Sequence, residues 1–204
     1  MADSNSRILK RDYGFDVAAT RREVLRLVEL RPGQRALDIG TGEGSMAFAL
    51  ARRKLRVIGV DTDRESLRVA RLRAKRAGIQ LRKRVRFVYG DALALPFSDG
   101  ELDVVFSFDT LHHLSQCADA VGEMLRVCSD TGVVAIADLN RKGLRAIEEV
   151  MARYGDEHYH NSCRVNVVGQ ILKQQGVPYK RYALPFVTLL VARKPIQRVT
   201  KLPG

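Results

Sequence analysis

A chain of 204 residues, 46% hydrophobic and 28% charged, is long enough to bury a sizeable core and too apolar for a disordered segment. No apolar run is long enough to span a bilayer, and Met1–Lys10 lacks the apolar centre of a secretory signal, so neither a membrane span nor export is expected. A net charge of +12 fits a nucleic-acid partner, an anionic substrate or a solvated surface.

Residues 16–30 place Val17, Val24, Leu25, Leu27, Val28 and Leu30 among charges, an amphipathic helix stopped by Pro32-Gly33. A strand at Arg35–Ile39 then runs into Gly40-Thr41-Gly42-Glu43-Gly44 and a helix at about 45–53. Lys54–Val60 reads as a second strand ending at Asp61, and Asp63 as the N-cap of a basic helix that Gly78 ends. Much of the positive charge falls between Arg64 and Arg86, where Leu67, Val69, Ala70, Leu72, Ala74 and Ala77 mark an inward face and no aromatic residues interleave. Strands follow at Val85–Tyr89, Asp103–Phe108 and Val133–Ala137, with a helix at 116–128 between the last two. The apolar runs Val-Val-Phe-Ser-Phe and Val-Val-Ala-Ile-Ala fit strands buried on both faces of a parallel sheet. Two helices, about 142–154 and 165–175, precede two strands, about 177–184 and 186–193. The join at Leu184-Pro185 is too short for a parallel crossover, so the last strand is expected to run antiparallel. The class is α/β, a doubly wound, Rossmann-like, mostly parallel seven-stranded sheet with helices on both faces.

The glycine turn lets backbone N–H groups approach a ligand closely, and the helix behind it favours an anionic group. Strand, glycine turn, helix and a later acid also describe a dinucleotide site. Three details separate the two. The spacing is G-x-G-x-G, not G-x-G-x-x-G. Asp38 stands two residues before Gly40, unwelcome to a pyrophosphate but suited to an ammonium or sulfonium. The third strand ends in Gly90-Asp91-Ala92, where a carboxylate and an N–H suit an adenine ring.

With Leu37–Gly44, Asp61, Gly90-Asp91-Ala92-Leu93-Ala94-Leu95-Pro96-Phe97 and Phe108-Asp109-Thr110-Leu111-His112-His113-Leu114 in order, the chain resembles the class I S-adenosylmethionine-dependent methyltransferases. The match is to the small-molecule branch that includes ubiquinone/menaquinone-type C-methyltransferases. It covers roughly 35–138 in ordered motifs and extends more weakly to 194. The resemblance implies one methyltransferase domain over 1–204. Its parts are an N-terminal helical segment at 1–34, a cofactor-binding core at 35–138, a helical substrate lid at 139–176 and a terminal strand pair at 177–194. It implies that S-adenosylmethionine is held by Asp38, Gly40, Thr41 and Gly42 at its methionine end, and by Asp61 at the ribose. Thr62, Asp91 and Ala92 would meet the adenine, Phe108 would begin the loop facing the sulfonium, and Tyr13 would close over the cofactor.

In-line methyl displacement needs little acid–base chemistry when the acceptor is already nucleophilic. Where a base is used, His112, His113 and Asp109 are the candidates, placed at the carboxyl edge of the sheet. Asp109, Asp138 and Asn140 loosely resemble the Mg²⁺ ligands of catechol O-methyltransferases, but Leu139 intervenes where that family has adjacent ligands, so no metal is expected. Cys117, Cys128 and Cys163 are odd in number and lack C-x-x-C spacing, which predicts free buried thiols and a cytoplasmic protein. Arg141, Lys142, Arg145, Arg153, Tyr154, His158, Tyr159, His160 and Arg164 read either as a lid that selects an anionic or aromatic small-molecule acceptor or as a charged amphipathic helix followed by a polar loop. The alternatives are an RNA or protein acceptor held on the basic surface, and a cofactor-binding subunit without catalysis.

Overall fold

A computed structural model describes residues 2–155, 161 and 163–195. Two helices open it, α1 (Ala2–Tyr13) and α2 (Val17–Leu27), and the α/β alternation begins at β1 (Arg35–Ile39). It continues through α3 (Ser45–Arg52), β2 (Arg56–Asp61), α4 (Arg64–Arg76), α5 (Ile79–Arg82), β3 (Val85–Tyr89) and β4 (Leu102–Phe108). A 3₁₀ turn at Leu111–His113 leads to α6 (Cys117–Val127) and β5 (Cys128–Leu139). Then come α7 (Arg141–Ala152), α8 (Val165–Gln174), β6 (Tyr179–Ala183) and β7 (Val187–Ala192).

The seven strands form one sheet in the order β3-β2-β1-β4-β5-β7-β6. β1 to β5 pair in parallel, and β7 runs antiparallel to both β5 and β6. β1 is fully buried after Arg35, as are most residues of β4 and all of β7, because helices cover the sheet centre on both faces. One apolar cluster joins the sheet to α2, α3, α4 and α7; the other joins it to α6 and α8. β3 departs from this: Val85 and Phe87 face α3 and α4, whereas Arg86 and Val88 point outward.

Local chemistry places the helices. The Asp16 carboxylate caps α2 by accepting from the Ala19 N–H at 2.8 Å, and Asp63 caps α4 from the Glu65 N–H at 2.9 Å. The Asp16 cap is worth about 1 kcal/mol. Gly40, Gly42 and Gly44 have φ of +65°, +51° and +83°, a run that only glycine adopts without strain.

The cysteine expectation is corrected. Cys117 and Cys163 form a disulfide, with Cα atoms 5.2 Å apart across 46 residues of sequence; Cys128 alone is free, and buried. Packing of α6 against α8 brings the pair together, which no local spacing reveals. The thiol-based argument for a reducing compartment therefore falls. Among the described residues no helix is long and apolar enough to cross a membrane.

Candidate functional site

The carboxyl ends of β1, β2, β3 and β4 surround a cavity of about 330 Å³, at the point where strand order reverses and ligands bind in such sheets. Its lining includes Gly40, Asp61, Thr62, Asp91, Ala92 and Asp109, with Thr110, His113 and Leu114 beside them. Three of the lining residues are thus aspartates, on three different loops.

Two of these carboxylates are braced by backbone. Asp61 accepts from the Gly42 N–H at 2.7 Å and from the Asp63 N–H at 2.9 Å, tying β2 to the glycine turn. Asp91 accepts from the Leu93 N–H at 3.0 Å. Asp109 differs: its φ is +59°, and its buried Oδ1 has no hydrogen-bond partner. Burial pushes its carboxyl up to about 6, with Asp138 adding to the rise and His112 and Arg21 opposing it.

Asp38, expected at the cofactor, does not line the cavity. It lies beneath the turn, 1% exposed, and accepts from the Thr41 hydroxyl at 2.6 Å. Burial raises its carboxyl to about 7 against the pull of the Thr41 and Ala47 hydrogen bonds. Thr41 is buried with it. Gly42 meets the site through its N–H on Asp61. Phe108 is buried under the loop, with the Arg21 guanidinium 5.5 Å from its ring centroid. Tyr13 stands elsewhere, its hydroxyl donating to Glu149 on α7 at 2.8 Å.

The two histidines separate. His113 is exposed at the cavity rim, whereas His112 is 1% exposed behind it. The His112 Nδ1 and the Asp138 Oδ1 are 2.6 Å apart, and the His112 backbone N–H donates to Asp138 Oδ2 at 2.9 Å. Burial draws the imidazole pKa down, but the Asp138 bond and the charges of Asp138 and Asp109 outweigh it, and the net shift is upward. Ligand-capable atoms of Asp109, His112 and Asp138 lie within 4.8 Å of one another. Asn140 caps α7, accepting from the Gly143 N–H and donating to the Leu184 carbonyl, both at 3.0 Å.

Three of the described charges between 141 and 165 are engaged away from this cavity. Arg145 pairs with Glu149, Arg153 pairs with Asp12, and Lys142 lies over the Phe186 ring. His158, Tyr159 and His160 lie outside the described residues. Asn161 does approach the site, donating from its side chain to the His113 carbonyl at 2.7 Å.

One residue escaped the sequence reading. Arg21 of α2 carries a buried Nε without a hydrogen-bond partner, close enough to feel both Asp38 and Asp109. Desolvation lowers its pKa, against the pull of those two carboxylates. Nothing in the local sequence distinguishes it from Arg22; only the fold turns it inward. Asp109 thus brings an orphaned acceptor to the cavity wall, while Arg21, whose Nε is an orphaned donor, lines a neighbouring cleft with Asp16, Glu43 and Arg73.

A family model described as a methyltransferase domain matches residues 30–183. The uncharacterized methyltransferase YcgJ of Bacillus subtilis is 35% identical over 115 residues, covering 56% of this chain and 44% of that protein. Its crystal structure superposes with a TM-score of 0.68 at 19% identity, covering 87% of this chain and 99% of that one. A demethylmenaquinone methyltransferase of Thermus thermophilus is 34% identical over 128 residues, 62% of this chain and 56% of its own length. A 27-O-demethylrifamycin SV methyltransferase of Amycolatopsis mediterranei is 34% identical over 113 residues, 55% of this chain and 41% of its own. The chain spans about half the length of the curated relatives it matches.

Proposed function

Because the chain belongs to the family of methyltransferase domains, we propose that it transfers a methyl group from S-adenosylmethionine to a small-molecule acceptor. The observation that carries this reading is the pair of orphaned atoms, Arg21 Nε and Asp109 Oδ1, beside a cavity lined by Asp61 and Asp91. A ligand with an α-amino-acid end and an adenosine end offers a carboxylate, an ammonium, ribose hydroxyls and an adenine amino group, the chemical complements of these four side chains.

When bound, S-adenosylmethionine supplies a methyl group on a sulfonium, open to in-line displacement. Arg21 is assigned to its carboxylate and Asp109 to its ammonium. Asp61, with its Gly42 brace, is assigned to the ribose hydroxyls; Asp91 and Ala92 are assigned to the adenine. An acceptor atom that carries a proton passes it to His113, the exposed base at the rim. His112 is a positioning residue: its bonds to Asp138 hold the 3₁₀ turn from which His113 projects. Two relatives, the demethylmenaquinone methyltransferase and the 27-O-demethylrifamycin SV methyltransferase, support a small-molecule acceptor. Cytoplasmic residence goes with this reading and is checked by fractionating cells.

The test is transfer of labelled methyl from S-adenosylmethionine into fractionated cell extract. Label in the small-molecule fraction supports the reading. Label confined to RNA or protein, or tight cofactor binding with no transfer to any fraction, overturns it.

A further inference from the structure

The opposite edge of the sheet carries a different kind of surface. A cleft of about 720 Å³ opens at the amino ends of β1, β2 and β3, lined by Arg35, Arg56, Gln80, Lys83, Arg84 and Arg86, with Glu101 at one side. Register makes this more than a scatter of charge. Arg35 stands directly beside Arg56 across β1 and β2. Val57 pairs with Val85, and the Val57 N–H donates to the Arg84 carbonyl at 2.7 Å, so Arg84 flanks Arg56 on its other side. Three arginines thus form a row across three adjacent strands, spaced about 4.8 Å apart. Arg86 lies two residues further on, in β3 opposite Ile58, and points outward.

Like charges directly opposed across strands are destabilising. Partners within the chain relieve little of this. Arg35 approaches Asp103 at 3.8 Å, and Arg84 donates to the Lys54 carbonyl, which is neutral. No carboxylate is paired with Arg56, Arg86 or Lys83 among the described contacts. We propose that this arginine row is a docking surface for the backbone of double-helical RNA. Phosphates spaced along a strand neutralise a linear row of guanidinium groups better than a single small anion does.

Two features favour a duplex, and RNA over DNA. No aromatic side chain lines the cleft, so it offers no platform for splayed single-stranded bases. Gln80 and Glu101 supply hydrogen-bonding groups among the cations, and a carboxylate that repels phosphate still accepts from a 2′-hydroxyl. Because the cleft and the cofactor cavity lie at opposite ends of the strands, the RNA is held rather than methylated. The proposal therefore stands whether or not the methyl-transfer reading does.

The experiment is fluorescence anisotropy of the full chain with a short labelled RNA duplex, from about 50 to 200 mM salt. The variant R56Q/R84Q/R86Q is expected to bind at least about tenfold more weakly, with a log–log salt slope shallower by about three. R56K/R84K/R86K keeps the point charges and is expected to keep most of the slope. R68Q/K75Q/R76Q, which removes the same charge from exposed positions of α4, is expected to weaken binding less than about threefold. Melting temperatures confirm that each variant is folded. Equal losses in the cleft and α4 variants would reduce the effect to net charge and overturn the proposal. So would equal binding of a DNA duplex of the same sequence, or cleft-dependent binding of phosphatidylserine vesicles or an acidic peptide but not of RNA.

Discussion

Asp38 and Thr41 are joined beneath the glycine turn, the Thr41 hydroxyl donating to the Asp38 carboxylate at 2.6 Å with both side chains buried. The acid that precedes the glycines supports the turn from below. Its carboxyl is raised from an ordinary 3.8 to about 7. Between those values the folded state holds a proton that the unfolded chain releases. Its contribution to stability is therefore full below about pH 4 and is lost as pH rises to about 7. Asp38→Asn, which keeps an acceptor for Thr41, removes this dependence. Melting temperature followed from pH 5 to 8 is expected to fall more steeply for the wild type than for the variant; parallel curves contradict the assignment.

Gly40 and Gly42 are expected to respond differently to alanine. Both have positive φ, but a Cβ at Gly40 runs into the Thr110 side chain, whereas one at Gly42 meets nothing within 4 Å. Gly42→Ala carries only the backbone strain, about 1–2 kcal/mol. Gly40→Ala adds the clash and displaces the loop behind β4, so its loss in denaturant midpoint is expected to be clearly larger. Equal losses would mean that Thr110 moves aside freely.

Cofactor affinity is expected to depend on the ionisation of Asp109. With its carboxyl at about 6, protonation below that pH removes the partner assigned to the ammonium. Calorimetric titration of S-adenosylmethionine should show affinity weakening by up to about tenfold per pH unit below 6. Asp109→Asn is expected to bind weakly at every pH and to lose that slope. Arg21→Leu is expected to weaken binding about tenfold or more without introducing one.

His113→Gln separates proton transfer from binding. For an acceptor that loses a proton, kcat is expected to fall about 10²–10⁴-fold while the cofactor Kd moves less than about threefold. His112→Gln acts through the 3₁₀ turn, which Asp138 clamps twice, so it is expected to lower both kcat and thermal stability. If loss of His113 leaves kcat intact, the acceptor is already nucleophilic and needs no base.

The Cys117–Cys163 disulfide closes a loop across 46 residues of sequence. Cys117→Ser/Cys163→Ser is expected to cost about 2–4 kcal/mol in denaturant unfolding. Thiol titration of the unfolded, unreduced chain should count one thiol, Cys128. Three thiols in freshly purified protein would contradict the bridge.

Local patterns made much of this legible. β1 begins and ends where the apolar run does, and Gly40, Asp61, Thr62, Asp91 and Ala92 meet at one cavity as their motifs implied. What stayed hidden depends on contacts between distant segments. α1 offers few apolar positions and packs on α7 through pairs such as Arg153 with Asp12, well over a hundred residues away. Tyr13 follows that packing and so faces Glu149 rather than the cofactor cavity. Asp38 belongs to a central strand buried on both faces, which puts its carboxylate under the turn. Arg21 and the cysteine pair acquire meaning only when helices are brought together.

The insertion of β7 between β5 and β6 also orders events during synthesis. β6 leaves the ribosome with no sheet edge of its own to join, and the buried strand β5 waits with one side unpaired until residues 187–192 follow. Until then a nascent chain displays the backbone groups of Val134–Leu139, an apolar edge prone to pair with a neighbouring chain. Translation stalled before Val187 should leave polypeptides that seek chaperones, and release of the last strand should end that dependence.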